Sequence, residues 1–149
     1  VHGGERVLDL GTGSGILSLA AAGLGCGPIL ALDVEPIAVQ TAAANMTTLG
    51  DRVTVRRGSL PLDPHPGPLP EGAATQRFEL VLANIIARVL AELAHELAVV
   101  LAPGGKLLAS GIIDEHEAEV LAAFQAAGLA IDRRVQAGDW VTLVASRAD

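Results

Sequence analysis

The feature that most constrains this chain is Gly11-Thr12-Gly13-Ser14-Gly15, set directly after the short apolar run Val7-Leu8-Asp9-Leu10. Alternating glycines end a strand because they permit backbone angles that other residues avoid, so a tight turn is expected there. Leu17, Ala20, Ala21 and Leu24 then recur at the three-and-four spacing of one helical face, and Gly25 to Pro28 stops the run. A strand, a glycine turn and an immediate helix are the opening of an α/β fold.

The pattern repeats. Residues 28–33 form a second apolar strand, and Pro36 stands where a first-turn proline belongs, with Gly50 as the expected helix stop. Strands are expected at 52–57, where Val53 and Val55 alternate with polar residues, and at 78–84. Leu90, Leu93, Leu97, Val100 and Leu101 mark one amphipathic helix ended by Pro103-Gly104-Gly105, and a fifth strand follows at 106–111. Asp114 and Glu117 read as an acidic capping box for a helix ending at Gly128. Strands at 130–136 and 140–146, joined by a short turn, must be antiparallel. The stretch 61–76 holds five of the eight prolines and is expected to be an exposed loop. Strands alternating with helices imply right-handed crossovers, hence an open, mostly parallel seven-stranded sheet with helices on both faces.

Seventeen acidic against ten basic residues give a net charge of -7, which disfavours a nucleic-acid backbone and suits a basic protein partner. No apolar run is long enough to span a bilayer and no export signal opens the chain, so it reads as cytoplasmic, with no membrane partner. Cys26 is the one cysteine and reads as an apolar filler; no Cys/His cluster suggests a metal. His2, His65 and His116 read as solvated, His95 as lying on a helix flank, and Arg56 and Arg57 as solvated charges. Trp140 reads as core or interface. Val1 runs almost at once into a strand, and the chain is read as the catalytic piece, 1–149, of a longer protein.

In an open α/β sheet, ligands bind beyond the carboxyl ends of the strands, where strand order reverses. Asp9, Asp33, Gly58-Ser59, Asn84 and Ser110-Gly111 are expected at those ends. The glycine loop permits close approach of a ligand and is expected to present amides near the positive end of its helix. It is not a dinucleotide fingerprint, because the third glycine of G-x-G-x-x-G would fall at Ile16, and no Gly-Lys-Ser/Thr follows to make a P-loop. Asp33, eighteen residues beyond Gly15, suits a carboxylate accepting both hydroxyls of a ribose, with Glu35 a weaker rival; alternatively it only caps the next helix. Asn84 interrupts an apolar strand at its crevice end and can hold an amine through its side-chain oxygen, or simply satisfy a turn.

The run Val-Leu-Asp-Leu-Gly-Thr-Gly-Ser-Gly-Ile-Leu (7–17), with Ala-Leu-Asp-Val-Glu-Pro (31–36), resembles the class I methyltransferases that use S-adenosylmethionine, a Rossmann-like fold. Within that superfamily, Ala-Asn-Ile-Ile-Ala (83–87), Pro-Gly-Gly (103–105), Ser-Gly-Ile (110–112) and Trp140-Val141 resemble the bacterial methyltransferases of large-subunit ribosomal protein L11. The resemblance covers nearly the whole chain. It implies that Gly11, Thr12 and Gly13 contact the methionine part of the cofactor and that Asp33 and Val34 hold its ribose side. It further implies that Ser59 lies near adenine, where relatives often carry Asp, that Asp9 orients the loop or the cofactor amino group, and that Asn84 lines the site beside the transferred methyl as the catalytic residue. The implied reaction is methylation of amino groups on a ribosomal protein. A methyltransferase for lysines of another protein or for a small molecule, a nucleoside-binding module without activity, and a nicotinamide-dependent oxidoreductase remain as alternatives. A base methyltransferase is disfavoured, since Ile85-Ile86 replaces the Pro-Pro-aromatic that stacks on a flipped base.

Overall fold

Residues 1–62 and 77–147 are described by a computed structural model. The chain runs β1 (Val7–Leu10), α1 (Ile16–Gly23), β2 (Ile29–Asp33), α2 (Pro36–Asn45), a 3-10 segment (Thr47–Arg52), β3 (Val53–Arg57) and β4 (Phe78–Asn84). It continues with α3 (Ala87–Glu92), α4 (Ala94–Val100), β5 (Leu101–Ile113), a 3-10 turn (Asp114–His116), α5 (Glu117–Ala126), β6 (Leu129–Ala137) and β7 (Trp140–Arg147). Among the described residues, seven strands join one sheet in the order β3-β2-β1-β4-β5-β7-β6. The strands from β1 to β5 pair in parallel, and β7 inserts antiparallel between β5 and β6. Strand order therefore reverses between β1 and β4.

The continuous apolar strands are buried on both sides, and their period of two divides them between separate cores. Leu8, Leu10, Leu30, Leu32, Val81 and Ala83 face the α3–α5 layer, meeting Leu90, Leu97, Val120 and Phe124. Val7, Ile29, Leu80 and Leu82 face the other way, onto Ala21 and Ala22 of α1. Ala31 packs with Ala42 and Met46 beside α2. The mostly parallel sheet with helices on both faces follows from this double burial.

Several local expectations are corrected. The buried face of α1 is Ser18, Ala21 and Ala22, while Ala20 and Leu24 are exposed. The helix is rotated because Ser18 is anchored inward by a hydrogen bond to Asp9, which apolar periodicity does not register. Helix α2 stops at Asn45 instead of running to Gly50, and Thr47 Oγ1 donates to the Ala43 and Ala44 carbonyls that the helix leaves open. The single helix expected across 90–101 is two short ones that break at Leu93, where ψ is 7°. Pro103-Gly104-Gly105 does not end that helix but forms an irregularity inside β5, whose pairing with β4 shifts between Phe78 and Leu80. A Cβ on Gly105 would lie 2.8 Å from the Phe78 carbonyl oxygen, so the close strand approach there requires glycine. The capping box also fails. Residue 116 is the N-cap of α5, with no side-chain cap, and Glu117 instead accepts from Arg134 across to β6 at 2.5 Å. The proline-rich loop expected at 61–76, with His65, falls from residue 63 onward outside the described residues.

Phe124 is fully buried in the core that joins α5 to the sheet. Phe124→Ala should lower the unfolding free energy by about 3–5 kcal/mol, read as a fall in the urea midpoint with the slope unchanged.

Candidate active site

The carboxyl edge beside the β1/β4 switch is organised by two carboxylates. Asp9, near the end of β1, is completely buried, and its Oδ2 accepts from Thr12 Oγ1 at 2.7 Å, Ser18 Oγ at 2.6 Å and Ser18 N at 3.1 Å. One carboxylate oxygen thus holds both the glycine loop and the first turn of α1. Its other oxygen, Oδ1, is buried without a hydrogen-bond partner. Burial raises the Asp9 pKa, and these hydrogen bonds oppose the rise without cancelling it.

Asp33 ends β2 and is half-buried. Its Oδ2 accepts from the Gly13 amide at 2.9 Å and its Oδ1 from the Glu35 amide at 3.0 Å. Each oxygen keeps a lone pair for a further donor. The same strand end draws in β3: the Gly58 amide donates to the Asp33 carbonyl at 2.9 Å, and Arg57 Nε donates to the Val34 carbonyl at 3.0 Å. Exposed Val34 and half-buried Ser59 therefore flank Asp33 on one rim. Arg57 is tied into that rim instead of being merely solvated.

The glycine loop departs from expectation in one chemical respect. The Gly11 and Thr12 amides donate to the Leu32 carbonyl at 2.8 and 2.9 Å, the Gly13 amide goes to Asp33, and the Gly15 amide goes to the Thr12 carbonyl. Four of the five loop amides are thus spent on the protein itself and do not form an anion nest. What the loop offers a ligand is bare backbone: a Cβ on Gly13 would meet nothing within 4 Å. Gly15 takes a left-handed φ of 83° against Met46, and Asn45 Nδ2 fixes the loop from outside by donating to the Ser14 carbonyl at 2.8 Å.

Asn84 stands exposed at the end of β4, directly across the switch, and its side chain has no hydrogen-bond partner among the described residues. It is joined to the loop by Ile85, whose Cγ2 lies where a Cβ on Gly11 would fall, 2.4 Å from that position. On its other side is Gly111 at φ 79°, where a Cβ would lie 2.8 Å from the Ile85 carbonyl oxygen and 3.0 Å from Asn84 Oδ1. Glycine at 111 keeps Asn84 uncovered, and glycine at 11 makes room for Ile85.

The structure therefore brings Asp9, Gly11, Thr12, Gly13, Asp33, Val34, Ser59 and Asn84 onto one edge. Sequence reasoning missed Ser18, Asn45 and Ile85. Ser18 had a legible signal, a polar residue on the inward side of an otherwise apolar helix, whereas Asn45 acts across thirty-one residues and leaves no local trace. Trp140, read as core or interface, is not in the core: it is 56% exposed and lines a cavity of about 410 Å³ beside Gly111. His116, exposed, borders the same cavity, and Cys26 is buried as expected.

Nearly the whole chain is similar to proteins of one family. The family model described as ribosomal protein L11 methyltransferase (PrmA) matches residues 1–148. A ribosomal protein L11 methyltransferase from Chloroflexus aurantiacus is 49% identical over 99% of this chain and 50% of its own length. One from Pelotomaculum thermopropionicum is 46% identical over 97% of this chain and 44% of its own length. The chain thus spans about half the length of these curated relatives. Among solved structures, the ribosomal protein L11 methylase of Lactobacillus delbrueckii subsp. bulgaricus superposes with a TM-score of 0.81 at 29% identity, over 98% of this chain and 71% of that one. With a family model matched from end to end of the described sheet, the chain belongs to the ribosomal protein L11 methyltransferase (PrmA) family.

Proposed function

We propose that residues 1–149 act as one methyltransferase unit that binds S-adenosylmethionine across β1, β2 and β4 and transfers its methyl to amino groups of a protein, ribosomal protein L11. The observation that carries this reading is the clasp of Asp33 on the Gly13 amide with Asn84 facing it across the switch, in a chain matched over 1–148 by the family model. The residues present fit the cofactor. Asp33 has acceptor capacity left for two ribose hydroxyls, Gly13 leaves open space for a ligand chain, and the orphaned Asp9 Oδ1 marks a buried acceptor suited to a donor such as the cofactor's amino group or a bridging water. A nicotinamide dinucleotide fits worse, because its pyrophosphate needs the loop amides that the protein has already consumed.

S-Adenosylmethionine, when bound, supplies a methyl group activated by a positively charged sulfur, open to displacement by a nucleophile. Lysine at neutral pH is mostly protonated, with an unperturbed pKa of about 10.4, so the amine has to lose a proton before it attacks. Ile85 and Ile86 beside Asn84 form an apolar rim that favours the neutral amine by excluding water. Asn84 Oδ1 and the neighbouring Ile85 carbonyl accept the amine's N–H groups, aim its lone pair, and stabilise the charge that grows on nitrogen as the bond forms. Val34 and Ser59 border the adenine. A ribosomal protein as acceptor assigns the chain to the cytoplasm, and among the described residues no helix is long and apolar enough to cross a membrane.

The test is calorimetric titration with S-adenosylhomocysteine, followed by transfer of labelled methyl from S-adenosylmethionine to ribosomal protein L11. Saturable binding and labelling support the proposal; stabilisation by NAD with no response to S-adenosylhomocysteine overturns it. Asp33→Ala should weaken S-adenosylhomocysteine by about 1–3 kcal/mol for each charge-assisted hydrogen bond lost, and unchanged calorimetric affinity would remove the ribose assignment. Asn84→Ala should keep cofactor affinity and lose turnover by about 100-fold, as measured by single-turnover methyl transfer. For Asp9 the sign follows from its raised pKa: the folded state holds the proton to higher pH than the unfolded chain, so this group's contribution to stability is present at low pH and falls as pH rises through the raised pKa. Asp9→Asn should remove that slope, so the unfolding free energy of wild type minus variant should decrease from about pH 4 to pH 7, in urea melts taken at each pH.

A further inference from the structure

Asn45 belongs to α2 and not to the strand ends that frame the site, yet it is joined to Asp33 by hydrogen bonds that pass through the glycine loop. Its Nδ2 donates to the Ser14 carbonyl at 2.8 Å. That carbonyl is part of the Ser14–Gly15 peptide, whose N–H, on Gly15, donates to the Thr12 carbonyl at 2.9 Å. The Thr12 carbonyl is part of the Thr12–Gly13 peptide, whose N–H donates to Asp33 Oδ2 at 2.9 Å. Each peptide group accepts at its oxygen and donates at its nitrogen, so the bonds run in one direction, from the amide of Asn45 to the carboxylate of Asp33. Hydrogen bonds arranged head to tail polarise and strengthen one another.

The relay starts and finishes on one helix. Glu35, the N-cap of α2, gives its amide to Asp33 Oδ1 at 3.0 Å, and Asn45 is the last residue of the same helix. Asp33 is thus held on one oxygen directly from the start of α2 and on the other, through the loop, from its end. That end is itself fixed: Met46 is buried, and its Cε lies 2.9 Å from where a Cβ on Gly15 would fall. Peptide planes next to glycine turn readily, and Gly13 and Gly15 both take a positive φ. The Asn45 donor holds the outer plane, 14–15, at its oxygen, while the Thr12 carbonyl holds it at its nitrogen.

Resting on the methyltransferase reading, we propose that Asn45 is a positioning residue for the cofactor: through this relay it fixes the orientation of the Asp33 carboxylate that receives the ribose hydroxyls, without touching the ligand itself. Asn45 is exposed, so water takes its place on the Ser14 carbonyl when its side chain is removed, and the fold is kept. What is lost is a donor held at a fixed distance and direction. The loop then samples more than one arrangement of its two peptide planes, and the ligand has to select the one that aims the Gly13 amide at Asp33.

Asn45→Ala and Asn45→Asp, the second close in shape but with no N–H to give, are compared with wild type under conditions where urea melts show all three folded. In ligand-free, nitrogen-15-labelled protein, both variants should move the Gly15 and Gly13 amide protons upfield, although Asn45 touches neither amide. By calorimetry both should bind S-adenosylhomocysteine about three- to tenfold more weakly. In an Asp33→Ala background, Asn45→Ala should change that affinity by less than about twofold, because the relay then has no carboxylate to reach. A Gly13 amide proton that stays in place, an affinity equal to that of wild type, or losses at Asn45 and Asp33 that simply add would each overturn the proposal. Failure of the two readings is distinguishable. If wild type does not bind S-adenosylhomocysteine, the cofactor reading fails and the positioning role fails with it; wild-type binding that is indifferent to Asn45 overturns the positioning role alone.

Discussion

Everything at the carboxyl edge depends on where two carboxylates, Asp9 and Asp33, send their hydrogen bonds. Asp9 is fully buried and would be costly to ionise without donors, and it collects three of them from Thr12 and Ser18 on a single oxygen. Those bonds set the angle at which α1 leaves the glycine turn, which is why Ser18 faces inward. Asp33 then pins the turn from the neighbouring strand through the Gly13 amide. A loop of alternating glycines has large conformational entropy to lose, and the two acids, with Asn45 on the Ser14 carbonyl, hold it in one shape before any ligand arrives.

That preorganisation also decides what kind of ligand the loop can take. In a phosphate-binding turn the amides point outward and the helix N-terminus adds its positive end. Here the amides of Gly11, Thr12 and Gly13 are turned back onto β2, and an aspartate sits at each of the two strand ends that frame the loop. The edge is consequently rich in acceptors and poor in free donors, an environment that repels pyrophosphate and accommodates hydroxyls, an amino group and positive charge.

The central strands were legible because β1, β2 and β4 are short, mainly apolar runs closed by Gly, Asp or Asn, and because double burial erases the ambiguity of which face points inward, whereas β3 was legible from alternation. Asp33 and Asn84 were legible for the same reason: a lone polar residue at the crevice end of an apolar strand stands out. What could not be seen was which polar side chain would claim which partner. The rotation of α1 follows from Ser18 meeting Asp9, the early stop of α2 from Thr47 claiming the last carbonyls, and the loss of the Asp114 cap from Arg134 drawing Glu117 toward β6. Helix signals read from composition assume that these side chains are unclaimed. The outward turn of the loop amides failed for a related reason, since glycine spacing specifies where a turn can form but not where its N–H groups point.

The reversal of strand order gives this edge two unlike halves. On the β1–β3 side, carboxylates and consumed amides make a surface rich in hydrogen-bond acceptors. On the β4–β5–β7 side, Ile86, Ile113 and Trp140 line a hollow that is mainly apolar. Asn84 stands at the seam, and the contacts around it explain why two glycines flank it in space: a side chain at position 11 would displace Ile85, and one at position 111 would press on Asn84 itself. The parallel strands alone would provide an edge; it is the switch, with glycine at 11 admitting Ile85 and glycine at 111 keeping clear of Asn84, that leaves this amide open where strand order reverses.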